Sequence, residues 1–115
     1  MGVYRIYYVR TGKIKSGKAD EAAKWWREKG KAMTESCPGV KSVKAYDAQY
    51  FLGGEYDLEI WIEIENYAAF DRVDEDFLAN PQKYAALREA QDVVEWGPSR
   101  LMGEWPESQF PLGEE

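Results

Sequence analysis

Tyr56-Asp57-Leu58-Glu59-Ile60-Trp61-Ile62-Glu63-Ile64 (YDLEIWIEI, residues 56–64) is the stretch that decides the reading of this chain. Apolar and acidic residues alternate with a period of two. This puts Tyr56, Leu58, Ile60, Ile62 and Ile64 on one face of a β-strand and Asp57, Glu59, Trp61 and Glu63 on the other. Burying the three central isoleucines is worth about 1.5–3 kcal/mol each, so the first face must meet a core. Upstream, residues 40–52 alternate as well, with Val43, Ala45 and Phe51 against Lys44, Tyr46 and Tyr50. Gly53-Gly54 supplies the backbone freedom of a tight reversal, so the two runs predict a β-hairpin.

Working outward, Val3 to Arg10 (VYRIYYVR) is β-branched, aromatic and alternating. It reads as a first strand with Val3, Arg5, Tyr7 and Val9 on one face and Tyr4, Ile6 and Tyr8 on the other, ended by the polar stretch 11–17. From Ser16 to Ser36 the period becomes helical: Ala19, Ala22, Ala23, Trp26, Gly30 and Met33 recur at spacings of three and four. Ser16 or Gly17 starts this helix and Cys37-Pro38-Gly39 stops it. Of the adjacent pair Trp25-Trp26, only one side chain can point squarely inward; Trp26 is assigned to the core and Trp25 to the flank. Gly30, mid-helix, costs about 1 kcal/mol against alanine, which implies close approach of a neighbouring group.

After the hairpin, Asn66 has the character of an N-cap, and the stripe Phe70, Val73, Phe77 builds a second helix that stops near Asn80. Pro81 suits a first helical position, so a further helix is expected to bury Tyr84, Leu87, Ala90 or Gln91, and Val94 until Gly97-Pro98 breaks it. A last strand, Ser99 to Trp105, follows. The order strand, helix, strand, strand, split helix, strand is the βαββαβ arrangement of ferredoxin-like α+β folds, with one four-stranded antiparallel sheet and the helices on one face. Residues 1–105 form a single domain on this reading, and 106–115 a C-terminal tail.

The Tyr4, Ile6, Tyr8 face and the Ile60 face match the helical stripes and should form the core. The opposite sheet face carries Arg5, Tyr7, Lys44, Tyr46, Glu59, Trp61, Glu63, Arg100 and Glu104. Large aromatics among charges of both signs suggest that something covers it, and the same face of a second copy is the expected cover. In such an isologous homodimer Arg5 and Arg100 would meet Glu59, Glu63 or Glu104. A monomer with a mixed sheet surface is the alternative.

Composition narrows the chemistry. A chain of 115 residues with 44% hydrophobic residues suffices for one core. It has no long uncharged apolar run and no basic segment leading into an apolar stretch, so neither a membrane span nor a secretory signal is read, and a cytoplasmic location is expected. The net charge of −6 argues against nucleic acid or an anionic membrane as partner. Histidine is absent. Its absence removes the usual general base near neutral pH, His-ligated haem and most zinc, iron and copper sites, so no metal or cofactor is expected. Carboxylate, Tyr, Lys and substrate-assisted chemistry remain. The single Cys37 has no histidine to activate it and reads as an ordinary small residue near the surface.

The order of elements over residues 3–105, together with Gly53 to Val73 (GGEYDLEIWIEIENYAAFDRV), resembles the dimeric α/β-barrel superfamily, which includes antibiotic-biosynthesis-monooxygenase-like, stress-responsive barrel and related small proteins. The resembling segment has a glycine turn, an acidic and apolar strand, and a helix that opens with small residues and an aromatic. The resemblance implies dimerisation through the sheets and small-molecule sites in a cleft between a sheet and its own helices. Members that bind haem or use a catalytic histidine depend on residues this chain lacks.

Tyr4, Tyr8, Trp26, Tyr56, Phe70, Phe77 and Tyr84 are the residues expected to line such a cleft, suited to a flat aromatic or apolar ligand oriented by phenol hydroxyls and a nearby acid. The same rings also read as ordinary core. Asp71, Asp74, Glu75 and Asp76 on one helix read as a solvated acidic face and not a cation site. Asp47 and Asp57 are isolated acids that would become bases only if buried. Two functions stay open: a small-molecule binder or cofactor-independent oxygenase or isomerase, and a non-catalytic dimeric interaction or stability module.

Overall fold

The computed structural model describes residues 4–49 and 56–109. Four strands, β1 (Ile6–Ile14), β2 (Val40–Asp47), β3 (Leu58–Ile64) and β4 (Val94–Gly103), form one antiparallel sheet in the order β2-β3-β1-β4. The helices are α1 (Ala19–Trp25), α2 (Lys31–Glu35), α3 (Ala69–Ala79) and α4 (Ala86–Ala90). A π-helical turn over Trp26–Gly30 joins α1 to α2, and a 3-10 turn over Pro81–Tyr84 precedes α4. The α+β class and element order expected from the sequence are those observed, including the split of the second helical region at Asn80-Pro81. The expected Gly53-Gly54 turn lies outside the described residues, as do Tyr50, Phe51 and the tail beyond Gln109.

The predicted faces of β3 hold: Ile60, Ile62 and Ile64 are buried with Ile6, Val43 and Ala69, and Tyr4, Tyr8 and Trp26 pack against them. Their register pairs Ile6 with Ile64, Tyr8 with Ile62 and Ala45 with Ile60 on one sheet face.

Several boundaries differ. β1 does not stop at Arg10 but continues to Ile14, because Gly12, Lys13 and Ile14 pair with Trp96, Glu95 and Val94 of β4. Long-range pairing overrides the polar composition there. For the same reason Val94 belongs to a strand and not to a helix, and the last strand runs from Val94 to Gly103. Gly97-Pro98 is not a terminator. It lies where the β1–β4 register shifts between Arg10 and Gly12, a bulge on an edge strand where proline's missing N–H is tolerated. The buried Thr11 closes this bulge by donating its hydroxyl to the Pro98 carbonyl at 2.6 Å.

The first helix begins at Ala19, after a turn through Gly17, instead of at Ser16 or Gly17. Asn66 does not cap α3 with its side chain; the cap position is Ala68, and Asn66 contributes its carbonyl to the Ala69 N–H at 3.1 Å. Gly39 takes φ +82, and a Cβ there would lie 2.7 Å from both Ala69 Cβ and Arg72 Nη2. This glycine allows the start of α3 to dock on the sheet.

The Trp25-Trp26 assignment is corrected. Trp25 is buried and donates its indole N–H to the Ala86 carbonyl at 2.9 Å, while Trp26 is half-buried against the sheet. Successive helical residues are about 100° apart, and this helix has two neighbours, the sheet beneath it and α4 beside it. Each tryptophan therefore packs on a different one. A Cβ on Gly30 would stand 2.7–3.0 Å from three Trp25 ring atoms, which explains the mid-helix glycine. Gly30→Ala is expected to lower stability by about 1–3 kcal/mol despite alanine's better helix propensity, because the indole must shift. A thermal melt reads this, and an unchanged or raised melting temperature would contradict the packing account.

Candidate functional site

The helix α3 touches the core through Ala69, its one buried residue. Beyond that point its apolar stripe stands off the sheet and encloses a cleft of about 310 Å³. The floor is Tyr8, Arg10, Val40, Ile62 and Ile64 from the sheet. The walls are Met33, Thr34 and Cys37 on one side, and Phe70, Val73, Asp74, Phe77, Tyr84 and Leu87 on the other. Tyr8 and Phe70 meet edge to face at 5.3 Å, and Phe77 and Tyr84 lie 5.4 Å apart.

One end of the cleft is held by a polar cluster. Asp76 accepts hydrogen bonds from the Tyr84 hydroxyl, from Lys83 Nζ at 2.6 Å and from Asn80 Nδ2 at 3.0 Å. Lys83 also donates to the Ser36 carbonyl at 2.9 Å, tying the end of α3 to the segment after α2. Lys83 and Tyr84 hold the Asp76 carboxyl below its usual range. Burial, and then the bond to Asp76, push the Tyr84 phenol well up, so it keeps its proton. Burial also pushes the Cys37 thiol up, which leaves it protonated and weakly nucleophilic at neutral pH. The stabilisation from Asp76 is complete above about pH 4 and is lost as pH falls through its depressed native value. Asp76→Asn should therefore lower the melting temperature at pH 7, with the gap to wild type closing below about pH 4. A gap independent of pH would contradict this role.

Of the seven residues expected to line a cleft, Tyr8, Phe70, Phe77 and Tyr84 come together here. Trp26 lies instead on a second cavity of about 340 Å³, between Ala19, Ala22, Ala23 and Trp25 and the sheet residues Ile14, Ala45, Leu58, Ile60 and Val94. Tyr4 is at the end of the sheet, its hydroxyl 3.0 Å from that of Tyr67, and Tyr56 lies against Gly97. These three do not join the cluster. Asp57 is no free base: its carboxylate accepts the Ile14 N–H at 3.0 Å, while Asp47 is exposed beside Gln49. Among the described residues no three His, Cys, Asp or Glu side chains gather as a metal site, and no helix is long and apolar enough to cross a membrane.

Arg10 is the residue that sequence reasoning missed. The alternation that puts Tyr4, Ile6 and Tyr8 on the core face puts Arg10 there too, at the position where the sequence pattern ends the strand. Its guanidinium lies 4.0 Å from the centre of the Trp96 ring, and burial pulls it down from its ordinary value. It remains a cation at neutral pH.

The opposite sheet face holds Arg5, Tyr7, Lys44, Tyr46, Trp61 and Glu63 around a hollow of about 390 Å³. Tyr7 and Trp61 meet edge to face at 5.4 Å, and Trp61 Nε1 donates to Glu59 at 2.9 Å. Arg100 pairs with Glu59 at 3.4 Å, Arg5 approaches Glu63 at 3.9 Å, and Glu104 accepts the Arg5 N–H at 2.8 Å. Val9, flanked in register by Trp61 and Arg100, is fully buried on this face within one chain.

No protein-family model and no curated protein sequence matches the chain. Solved structures do. HapK from Hahella chejuensis is 20% identical over 94% of this chain and 99% of its own, with a TM-score of 0.66. A DABB family protein with a ferredoxin-like fold from Mesorhizobium loti is 16% identical over 90% and 98%, with a TM-score of 0.62. The chain has the ferredoxin-like fold. SnoaB, a cofactor-independent oxygenase from Streptomyces nogalater, is 12% identical over 92% of this chain and 98% of its own, with a TM-score of 0.64. The resemblance to monooxygenase-like and related small barrel proteins read from the sequence thus holds for the fold.

Proposed function

We propose that this ferredoxin-like protein binds a small planar aromatic molecule in the cleft between α3 and the sheet. The observation that carries the reading is the stand-off of α3. Its inward stripe residues Phe70 and Phe77 stay 37% and 45% exposed around the 310 Å³ space instead of closing onto Ile62 and Ile64. A cleft of this size lined by aromatic rings suits a flat apolar ligand. SnoaB, of the same fold, is a cofactor-independent oxygenase, which makes oxygenase or isomerase chemistry on such a ligand the corresponding enzymatic reading by analogy. The cleft's own Tyr84 and Cys37 hold their protons, so in this reading they bind and orient, and a reactive anion would have to be the ligand's own.

Val73→Trp narrows the cleft and tests the reading. Planar aromatic compounds are expected to raise the wild-type melting temperature by several degrees and to have little effect on the variant. A panel that shifts neither protein would refute the proposal.

A second reading, compatible with the first, is a homodimer through the opposite sheet face. It rests on Tyr46, 53% exposed beside Tyr7 and Trp61 in a hollow ringed by charges of both signs.

A further inference from the structure

The floor of the cleft carries one cation among apolar and aromatic neighbours. Arg10 takes part in none of the ion pairs among the described residues, each of which uses another basic side chain. Its guanidinium lies 4.0 Å from the centre of the Trp96 ring, and Trp96 itself packs against all three apolar clusters. Tyr8, also on the floor, gives its hydroxyl to Ser99 Oγ at 3.2 Å. Among the described residues no acid meets this cation, and a cation drawn out of water unpaired is costly, so the anion of a ligand would complete it. The one carboxylate lining the cleft, Asp74, is exposed on the α3 wall and forms no ion pair with Arg10.

We infer that Arg10 is the anion-recognition group of this cleft, and that the ligand is a planar aromatic molecule with one acidic oxygen group, a carboxylate or an acidic enol, held against the guanidinium while its rings lie among Tyr8, Phe70 and Phe77. The inference deepens the proposed function and rests on it. The guanidinium presents paired donors in a plane, which match two oxygens of a carboxylate or of an enolised diketone.

Calorimetric titration with 1-hydroxy-2-naphthoate and with its methyl ester separates the two claims, because both share the rings and only the first carries the charge. Wild type is expected to bind the acid at least tenfold more tightly than the ester, as a charge-assisted bond requires. Arg10→Met should bring acid binding down to the level of ester binding, erasing the preference, whereas Arg10→Lys, which keeps the charge, should retain part of it. Ester binding equal to acid binding in wild type overturns the role of Arg10 while the cleft reading stands. Binding of neither compound overturns both.

Discussion

Trp25→Ala is expected to destabilise the protein by about 3–5 kcal/mol, the range for removing a large aromatic from a packed interior. Three contributions meet at this residue. Its ring packs against Ala86 and Ala90 of α4, and it fills the space that Gly30 leaves open. Its indole N–H also satisfies the Ala86 carbonyl. Small residues on both sides of a large ring leave nothing to collapse into the cavity. Trp25→Phe should keep much of the packing but leave that carbonyl without its donor, a loss of about 1–3 kcal/mol. Trp26→Ala is expected to cost less than Trp25→Ala, because Trp26 is only half-buried. Urea denaturation of the three variants checks the order, and a larger loss at Trp26 would reverse the assignment.

The proposed homodimer predicts a second large effect. Tyr46→Glu adds a carboxylate to a face that already carries Glu59 and Glu63, and in an isologous interface it does so twice. Wild type is expected to sediment as a dimer at micromolar concentration. The variant should sediment as a monomer with its melting transition nearly intact, since Tyr46 is 53% exposed in the single chain. A monomeric wild type would overturn the proposal, and so would a dimeric variant.

Periodicity carried the fold because it is a local signal strong enough to survive tertiary context: the alternation appears as read over residues 58–64, and the three-four spacing of residues 19–33 appears as a helical region, with Trp25 buried in place of Trp26. What was illegible depends on pairing between distant segments. Residues 11–14 are too polar to announce a strand, and Val94 to Pro98 looks like a helix end. Together they form the far half of the β1–β4 ladder. The cleft was half legible. Phe70, Phe77, Tyr8 and Tyr84 converge, but whether a stripe closes on a sheet or stands off depends on where a helix docks, here Gly39 against Ala69. Tyr4, Trp26 and Tyr56 share the right character and lie elsewhere. Arg10 was legible in principle, since one further step of the alternation places it on the core face.

The measurement that bears most directly on the central claim is a map of backbone amide chemical shifts of the uniformly labelled protein as 1-hydroxy-2-naphthoate is added. The account predicts that the largest changes surround Tyr8–Arg10, Phe70–Phe77 and Tyr84–Leu87. Changes gathered around Lys44, Tyr46 and Trp61, or none at any residue, would contradict it.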